Sequence, residues 1–428
     1  MSRVIIVGGG WAGCSAALMA RMAGADEVVV LERTDSLLGT GLVGGIMRNN
    51  GRFTATEEMF ALGAGQLFEI CDHTSRHHDL AFPGHQHASL YDVALIEPAV
   101  RRCLLENGVE IWLMSRVTAI ERSNGALTAI QLENGTTIPG DVFIDTTGTV
   151  GSQSFCTENG NGCVMCVARC PTFGPRISLT GLAGIPEKTG KKADGTLGAM
   201  SGSCKLNKDT VDRALLHELE VKGVMVIPMP RHLIHLEKLS SKACQQYATP
   251  EFAENVVLLD TGQIKLMTSF MPLEQLRQIP GLENVRYEDP YSGTVGNSMR
   301  YSALSPRDDT MQVVGGPDNL FCGGEKAGLL VGHTEAIVTG ALAGHNAVRH
   351  AAGQAPLTLP TTLAVGDAIT HVREAMQTEV GLTKKYTFSG SVYFDRMQAR
   401  GLYSTDQPAI AGRVEAAGLT GVYRQKVQ

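Results

Sequence analysis

Residues 3–33 read RVIIVGGGWAGCSAALMARMAGADEVVVLER. The apolar run over residues 3–7 is typical of a buried parallel strand, and the alanine-rich pattern after it is typical of a helix. Between these two patterns lie three glycines with the spacing G-x-G-x-x-G, namely Gly8, Gly10 and Gly13. A second apolar run over residues 28–31 ends in Glu32. Strand, glycines, helix, strand and acid in this order predict a Rossmann-type unit that binds a dinucleotide.

Each part of this unit has a physical role. The first glycine allows a tight turn, the second lets the backbone approach a pyrophosphate, and the third lets the helix pack on the strand. The helix N-terminus offers free N–H groups and a positive dipole end to the phosphates. Glu32 follows Gly13 by 19 residues, close to the roughly 20 at which a carboxylate accepts a hydrogen bond from a ribose hydroxyl. Gly8, Gly10, Gly13 and Glu32 are therefore cofactor-binding candidates, and we add the neighbouring Arg33.

Composition narrows the class of protein. The chain has 428 residues, of which 43% are hydrophobic and 19% charged, as in globular proteins of two or three domains. A formal net charge of −6 argues against a surface built mainly for nucleic acid. The sequence shows no secretion signal and no apolar run of the roughly 18 residues that a membrane span needs, so we expect a soluble cytoplasmic protein. Ten cysteines in such a protein suggest reduced thiols, a metal or a redox role.

The segment after the first unit mixes several patterns. The glycine-rich stretch SLLGTGLVGG, residues 36–45, predicts an irregular loop close to the cofactor. The histidine-rich stretch HTSRHHDLAFPGHQH, residues 73–87, predicts a polar loop over the cofactor, because no carboxylate pattern completes a metal site with His85 and His87. Residues 92–107 predict an amphipathic helix.

Short strands follow. Residues 110–114, 116–122, 127–133 and 142–145 alternate or run apolar, and two Asn-Gly pairs supply hairpin turns between them. We therefore expect a β-meander and then a strand that ends in DTTG, residues 145–148. From residue 156 the rhythm is lost, and it returns near residue 319. The predicted organisation is listed here: 1–155, first part of a cofactor domain; 156–308, cysteine loop and substrate domain; 309–352, second part of the cofactor domain; 353–428, a helical C-terminal cap.

The chain resembles a known class at this point. The fingerprint, the meander with its DTTG end, and LFCGGEKAGLLVGHTEAIVTGALAG at 320–344 resemble FAD-dependent oxidoreductases of the glutathione-reductase-type Rossmann class. The late segment is similar to the flavin motif of tRNA-modifying flavoproteins, the glucose-inhibited-division family and the folate/FAD-dependent tRNA uracil methyltransferases. IPGLENV, GTVGN and ALSPRDD follow the order expected of the methyltransferases. The resemblance is good over 1–150 and 275–350 and poor over 156–260. It implies an α/β fold, a two-dinucleotide-type FAD domain interrupted by a mixed α/β substrate domain.

The resemblance also implies a set of FAD contacts spread along the chain. Gly8, Gly10 and Gly13 would line the pyrophosphate, Glu32 the adenosine ribose, Val117 the adenine, Thr147 and Gly148 the cofactor's outer side, Gly324 and Glu325 the pyrophosphate or ribityl chain, and Gly332, His333 and Thr334 a helix start aimed at the flavin. A helix N-terminus there would stabilise the negative charge of a reduced flavin. His333 is accordingly a catalytic candidate, and the alternative is that it only occupies the helix start.

A cysteine cluster suggests a second redox centre. In NGCVMCVARCP, residues 161–171, the cysteines have the order C-x2-C-x3-C-P, which matches the last part of the bacterial ferredoxin run. Cys163, Cys166 and Cys170 are thus candidate ligands of a [4Fe-4S] cluster, with Cys156 the nearest fourth ligand and Cys204 or Cys244 others. Such a cluster would relay single electrons to or from a flavin.

Three other interpretations of this cluster stay open. Cys163 and Cys166 could form a redox dithiol that the flavin reduces, which makes both catalytic candidates. A zinc site needs four ligands, and the second C-x2-C pair of a zinc ribbon is absent from the sequence. The thiols could also simply pack a glycine-rich loop.

We therefore expect an FAD-dependent oxidoreductase with an adjacent iron–sulfur cluster or redox dithiol. The expected partners are a small-molecule substrate and an electron partner, NAD(P)H or ferredoxin; the charge disfavours nucleic acid, and a homo-oligomer is left open. The alternative function is a tRNA-modifying flavoprotein related to the methyltransferases. Co-purification with RNA would separate the two.

Overall fold

The computed structural model describes residues 2–149, 170–201, 204–241, 245–267, 271–288, 298–300 and 302–427. Its strands in chain order are β1 (Arg3–Val7), β2 (Glu27–Leu31), β3 (Ile46–Met47), β4 (Ser75–Phe82), β5 (His85–Tyr91), β6 (Glu110–Trp112), β7 (Val117–Ser123), β8 (Ala126–Leu132), β9 (Thr137–Pro139), β10 (Val142–Asp145), β11 (Lys188–Thr189), β12 (Ala199–Ser201), β13 (Cys204–Leu206), β14 (Val224–Pro228), β15 (Asn255–Asp260), β16 (Ile264–Leu266), β17 (Ser298–Arg300), β18 (Ala303–Leu304) and β19 (Leu320–Cys322).

The α-helices in the same order are α1 (Trp11–Ala23), α2 (Gly41–Gly44), α3 (Gly51–Leu62), α4 (Gln66–Thr74), α5 (Ile96–Glu106), α6 (Cys170–Phe173), α7 (Leu179–Leu182), α8 (Arg213–Lys222), α9 (Pro250–Glu254), α10 (Leu273–Leu276), α11 (His333–Ala351), α12 (Ala364–Ala375), α13 (Glu379–Leu382), α14 (Ser391–Ala399) and α15 (Gln407–Ala416). Within the described ranges, no helix is both long and apolar enough to cross a membrane.

A parallel five-stranded sheet forms the centre of the fold, with the strand order β19-β10-β1-β2-β6. Val4 of β1 pairs with Val28 on one side and Val142 on the other. Residues 4–6 of β1 and 142–144 of β10 are almost fully buried, as in the central strands of a parallel sheet that is covered on both faces. β1, α1 and β2 confirm the predicted opening unit, and the α/β Rossmann fold is confirmed with them.

Helices α1 and α11 lie unusually close together. A Cβ atom added at Gly340 would lie 2.8 Å from the Cα of Ala12, and one at Gly344 would lie 2.7 Å from the Cα of Ala16. Real Cβ atoms essentially never approach another heavy atom within 3.0 Å. Two glycines of α11, one turn apart, therefore set the distance between the helices that carry the two ends of the cofactor domain.

The predicted β-meander is present as the antiparallel sheet β7-β8-β9. Its first turn is Asn124-Gly125, with positive φ angles of 51° and 85°, as a two-residue hairpin requires. The helix predicted over residues 92–107 is shorter than expected and covers Ile96–Glu106. Asp92 precedes it by a turn, where its Oδ1 accepts a hydrogen bond from the N–H of Ala94 at 2.9 Å.

The histidine-rich segment is a hairpin of β4 and β5, and the predicted loop is wrong. His85 is buried beside Phe82 and Tyr247, and its Nε2 lies 3.1 Å from the carbonyl oxygen of Gln246. His77 Nε2 lies 2.9 Å from Oδ2 of Asp260 in β15. Both imidazoles have partners more than 150 residues away in sequence, so they are held by the tertiary fold, although other residues of β4 are exposed.

A second antiparallel sheet, β13-β16-β15-β14, has its own hydrophobic core between residues 204 and 287. Its helix α8 begins after Asp212, whose Oδ1 accepts from the N–H of Ala214 and Leu215. The C-terminal part is helical, as expected, with α12 to α15. The carboxylate of Glu58 in α3 accepts the N–H groups of Ala364 and Val365 at 2.9 Å each and so ties α12 to the cofactor domain.

Candidate functional site

The glycines of the fingerprint between β1 and α1 differ in their surroundings, because two are closely packed and one faces open space. Gly8 has a φ of 105°, and a Cβ there would lie 2.7 Å from the carbonyl carbon of Thr146. A Cβ at Gly13 would lie 2.9 Å from Oγ1 of the same threonine. A Cβ at Gly10 would meet no atom within 4 Å, and its φ of −68° and ψ of −177° suit any residue. Packing therefore requires Gly8 and Gly13, whereas the side of Gly10 is accessible to a ligand.

Glu32 reaches the glycine loop directly. Its Oε2 accepts a hydrogen bond from the N–H of Gly9 at 2.8 Å, and its Oε1 accepts from the N–H and hydroxyl of Thr34 at 2.8 and 3.0 Å. The N–H of Leu38 donates to the carbonyl of Gly9 at 2.7 Å, which fixes the next segment on the other side. The acid that follows β2 is thus held at the glycine loop, where the dinucleotide-binding fingerprint predicts a ribose-binding carboxylate.

The predicted adenine side lies next to Glu32. The N–H of Ser115 donates to the carbonyl of Glu32 at 2.9 Å, and Val117 begins β7 two residues later in a buried position. The guanidinium of Arg33 instead donates to the carbonyl of Gly174. Val117 therefore lies near Glu32, the predicted ribose-binding residue, while Arg33 contacts the backbone that follows α6.

The DTTG segment at the end of β10 is tied on both sides. The hydroxyl of Thr146 donates to the carbonyl of Gly8 at 2.7 Å, which attaches the segment to the glycine loop. The buried Asp145 accepts from the N–H and hydroxyl of Thr147 through Oδ1, and from those of Thr180 through Oδ2. Gly148 has a φ of 80°, and a Cβ there would meet no atom within 4 Å.

The late glycine-rich turn contacts the first turn of α1, which follows the opening glycine loop. It follows β19, which pairs with β10. A Cβ at Gly323 would lie 3.2 Å from the Cα of Gly340, and one at Gly324 would lie 2.9 Å from the Cβ of Ala12. Oε2 of Glu325 accepts from the hydroxyl of Thr149 at 3.0 Å. Two segments far apart in sequence thus line one region at the carboxyl ends of parallel strands, where open α/β sheets bind ligands.

The residues at the start of α11 differ in how deeply they are buried. Gly332 precedes the helix, and His333, its first residue, is half-buried. Thr334 is fully buried, with its hydroxyl 3.8 Å from the sulfur of Met47. Of the three predicted residues, Thr334 therefore packs inward and His333 lies at the surface of the site.

A buried ion pair positions this helix start. Nε of Arg52 lies 3.2 Å from Oε2 of Glu335, and their side chains are 4% and 0% exposed. Oε1 of Glu335 also accepts from the hydroxyl of Thr387 at 2.7 Å and from the N–H of Phe388 at 2.8 Å. A buried pair of this kind is costly unless its hydrogen bonds are satisfied, and here α3, α11 and the C-terminal region supply them together.

Three rings meet where α1 and α11 begin. The centroids of Trp11, Tyr91 and His333 lie 6.1, 6.1 and 6.3 Å apart in pairs. The hydroxyl of Tyr91 donates to the carbonyl of Gly41 at 2.6 Å, so at 3.3 Å it accepts from Nδ1 of His333. Burial raises the pKa of this hydroxyl well above its usual value, which keeps it protonated. A Cβ at Gly44 would lie 2.7 Å from Nδ1 of His333.

Sequence reasoning missed two of these rings. Trp11 stands in the quoted fingerprint, where an indole beside a phosphate-binding glycine was a usable signal. Tyr91 carries no signal, because it ends a strand that only the tertiary fold brings to the site.

The second sheet contacts the glycine-rich stretch through lysines. Nζ of Lys265 donates to the carbonyl oxygens of Val43, at 2.7 Å, and Gly44. Nζ of Lys205, its direct neighbour across the β13–β16 pair, donates to the carbonyl of Leu42 at 3.4 Å. These residues belong to or adjoin α2, a single helical turn where an irregular loop was expected. Its C-terminal carbonyls are what cations stabilise.

The predicted cysteine ligands fall mostly outside the described residues. Cys156, Cys163 and Cys166 lie there, as does Cys244, and Cys170 begins α6. Cys204 is buried in β13. Among the residues that the structure describes, no three or more His, Cys, Asp or Glu side chains are grouped so as to hold a metal ion. His85 and His87 are not part of any such group among the described residues.

The fold and the arrangement of the glycine loop, acid and late turn define an FAD-dependent enzyme of the glutathione-reductase-type Rossmann class. The chain belongs to the glucose inhibited division protein A family, whose model matches residues 3–230 and 255–355. The match extends well into residues 156–260, where little resemblance was expected, and this corrects that expectation.

Two crystal structures of GidA from Aquifex aeolicus have the same fold. The form II crystal gives a TM-score of 0.64 at 18% identity over 97% of this chain and 76% of that one. The form I crystal gives 0.63 at 17% identity over 97% and 78%. At this identity the likeness concerns the fold.

Proposed function

We propose that the chain binds FAD between the glycine loop, Glu32 and the Gly324 turn, and that it uses the flavin in a redox step on a tRNA nucleoside. The observation that carries the FAD site is the approach of Gly324 to Ala12, which brings the late turn against the start of α1, next to the opening glycine loop. The family assignment favours the tRNA substrate over the small-molecule substrate of the first expectation.

The residues present fit this cofactor. The open side of Gly10 and the N-terminus of α1 suit a pyrophosphate, and the Glu32 carboxylate suits a ribose hydroxyl. When bound, FAD supplies hydride and electron transfer. His333 begins α11, whose positive dipole end stabilises negative charge, and its Nδ1 proton is held by Tyr91. NAD(P)H or ferredoxin would serve as reductant.

The FAD proposal is tested by anaerobic purification followed by cofactor analysis. The protein should carry one FAD, and the flavin should bleach with NAD(P)H or with reduced ferredoxin. A protein that neither retains FAD nor binds it when FAD is added would refute the proposal.

The tRNA proposal needs a separate measurement, since the net charge of −6 confines any basic surface to a local patch. We expect tRNA to bind the FAD-loaded protein with an affinity that falls as salt rises, because phosphate contacts release counterions. Single-stranded DNA of the same length is the control. Equal binding of both nucleic acids, or none, would favour the small-molecule substrate.

The cysteine motif supports a second candidate feature, a [4Fe-4S] cluster or a Cys163–Cys166 dithiol beside the flavin. The observation is the C-x2-C-x3-C-P spacing of Cys163, Cys166 and Cys170. Iron, acid-labile sulfide and zinc measured on the anaerobic protein decide the matter. Iron and sulfide in equal amounts support the cluster, and a metal-free protein with two titratable thiols that the reduced flavin regenerates supports the dithiol.

A further inference from the structure

A buried pair of opposite charges lies beside Gly332, the residue that precedes α11. A Cβ atom added at Gly332 would collide with Nη2 of Arg52 and with Oε2 of Glu335, and the φ of 149° at this glycine is one that side chains rarely adopt. The guanidinium comes from α3 and the carboxylate from the third residue of α11. Both charges are therefore held against the helix start at which we propose that the flavin binds.

The guanidinium of Arg52 is fixed in this position by several groups. Its Nη1 donates to Oδ1 of Asn49 at 3.2 Å, and its Nη2 donates to the hydroxyl of Thr387 at 3.2 Å and to the carbonyl of Val331 at 3.4 Å. The same threonine hydroxyl donates to the carboxylate of Glu335 at 2.7 Å. The cation and the anion thus share a partner, so a shift of either charge would disturb the hydrogen bonds of the other.

Stability alone does not account for this arrangement. Replacing a buried ion pair by well-packed apolar side chains of similar volume is often neutral or stabilising, because two charges lose their hydration on burial. A helix N-terminus already carries a positive partial charge, equivalent to roughly half an elementary charge. The carboxylate of Glu335 cancels the further positive charge that Arg52 would add there, so the pair adds no net charge to that of the helix dipole.

We propose that Arg52 and Glu335 form a charge-balancing pair that sets the reduction potential of the flavin. This inference rests on the proposed binding of FAD. A reduced flavin is anionic, so positive charge near it favours the reduced form and negative charge favours the oxidised form. Both are positioning residues, which act through the electric field at the start of α11 rather than by touching the cofactor.

The proposal predicts shifts of opposite sign when one charge of the pair is removed. Glu335→Gln leaves the guanidinium, which stays protonated, and should raise the reduction potential. Arg52→Met leaves the carboxylate and should lower the potential. The double variant Arg52→Met/Glu335→Gln carries neither charge and should have a potential close to that of the unsubstituted protein. A pair with a purely structural role would lower the thermal midpoint in both single variants without opposite shifts in potential.

Reductive titration of the FAD-loaded variants against a redox dye measures these shifts. Alkaline pH is used because it favours the ionised carboxylate in Arg52→Met. A unit charge about 10 Å away, at an effective dielectric constant of about 20, changes the ratio of the dissociation constants of oxidised and reduced FAD roughly tenfold, which equals about 30 mV for two electrons. Thr387→Val is the matched control, because it removes the hydroxyl that binds both charges without changing the charge of the pair. It should lower the thermal midpoint and leave the potential nearly unchanged.

An unchanged potential in Glu335→Gln would overturn the proposal, as would shifts of both single variants in the same direction. If Glu335→Gln does not fold, the expected fall in Arg52→Met decides the matter. If neither single variant folds while the double variant does, the pair serves stability alone and the proposal is wrong. If the unsubstituted protein binds no FAD at all, the proposed function fails instead, so the two failures are distinguishable.

Discussion

Gly344→Ala should destabilise the protein, although alanine is the better helix former. Gly344 lies inside α11, where a new Cβ would be 2.7 Å from the Cα of Ala16 and nearer still to its carbonyl oxygen. Ordinary contacts of this kind start near 3.4 Å. Helix α1 would therefore have to move by several tenths of an ångström or more, and backbone cannot give way as a flexible side chain does.

The magnitude follows from two opposing effects. Replacing glycine by alanine in a helix interior gains about 1 kcal/mol. Overpacking a tight contact costs about 1–3 kcal/mol, and a collision with backbone belongs at the upper end. The net loss in the free energy of unfolding should be about 2 kcal/mol. Gly412→Ala in α15 is the matched control, because a Cβ there meets no atom within 4 Å and the same substitution should stabilise by up to about 1 kcal/mol.

Urea unfolding of both variants, followed by far-ultraviolet circular dichroism, measures the difference. We expect the two variants to lie on opposite sides of the unsubstituted protein, about 3 kcal/mol apart. A Gly344→Ala protein as stable as the Gly412→Ala protein would refute the claim that glycines set the spacing of α1 and α11. Gly340→Ala, whose new Cβ would collide with Ala12 in the first turn of α1, should in addition weaken FAD binding.

Four further substitutions test the site and the fold. Gly10→Val should abolish retention of FAD while keeping the unfolding midpoint, because its Cβ faces open space; a yellow variant would contradict the site. Glu32→Ala should weaken FAD about 10- to 100-fold, the value of a hydrogen bond to a charged group, as measured by titration of the cofactor-free protein, and an unchanged affinity would exclude the ribose contact. Cys166→Ser should remove iron and acid-labile sulfide but leave the flavin bound, as measured by iron, sulfide and flavin analysis of the purified variant. Burial lowers the pKa of His345 from 6.5 to about 4. As the pH falls from 6.5 towards 4, the unfolded chain therefore binds a proton at this residue before the folded protein does, and the free energy of unfolding drops by about 3 kcal/mol. His345→Leu should flatten that part of the curve of unfolding free energy against pH, and an unaltered slope would contradict the lowered pKa.

Sequence patterns predicted the parts of the fold that are determined by interactions between residues close together in the sequence. The opening unit, the meander and α11 follow from apolar periodicity and from Asn-Gly and glycine signals, which act within a few residues. The β4–β5 hairpin could not be predicted in this way. The stretch with His77 and His85 predicted a polar loop, yet the imidazole of each lies within hydrogen-bond distance of a residue from a different part of the chain, Asp260 and Gln246.

The candidate site shows the same division. Gly8, Gly10, Gly13 and Glu32 were found because spacing alone positions them, and the structure brings them together with the late turn. The contact of Arg33 with Gly174 and the meeting of the three rings depend on tertiary packing that no motif encodes. The roles of the individual residues in cofactor binding remain predictions for the substitutions above.

The order of strands in the central sheet has a consequence for synthesis on the ribosome. β1 pairs with β10, and β10 pairs with β19, whose residues 320–322 lie about three quarters of the way along the chain. A nascent chain from which β19 and α11 have not yet emerged lacks the strand and the helix that complete the proposed cofactor site. The opening glycines are made first, but the proposed cofactor site can form only after β19 and α11 have left the ribosome.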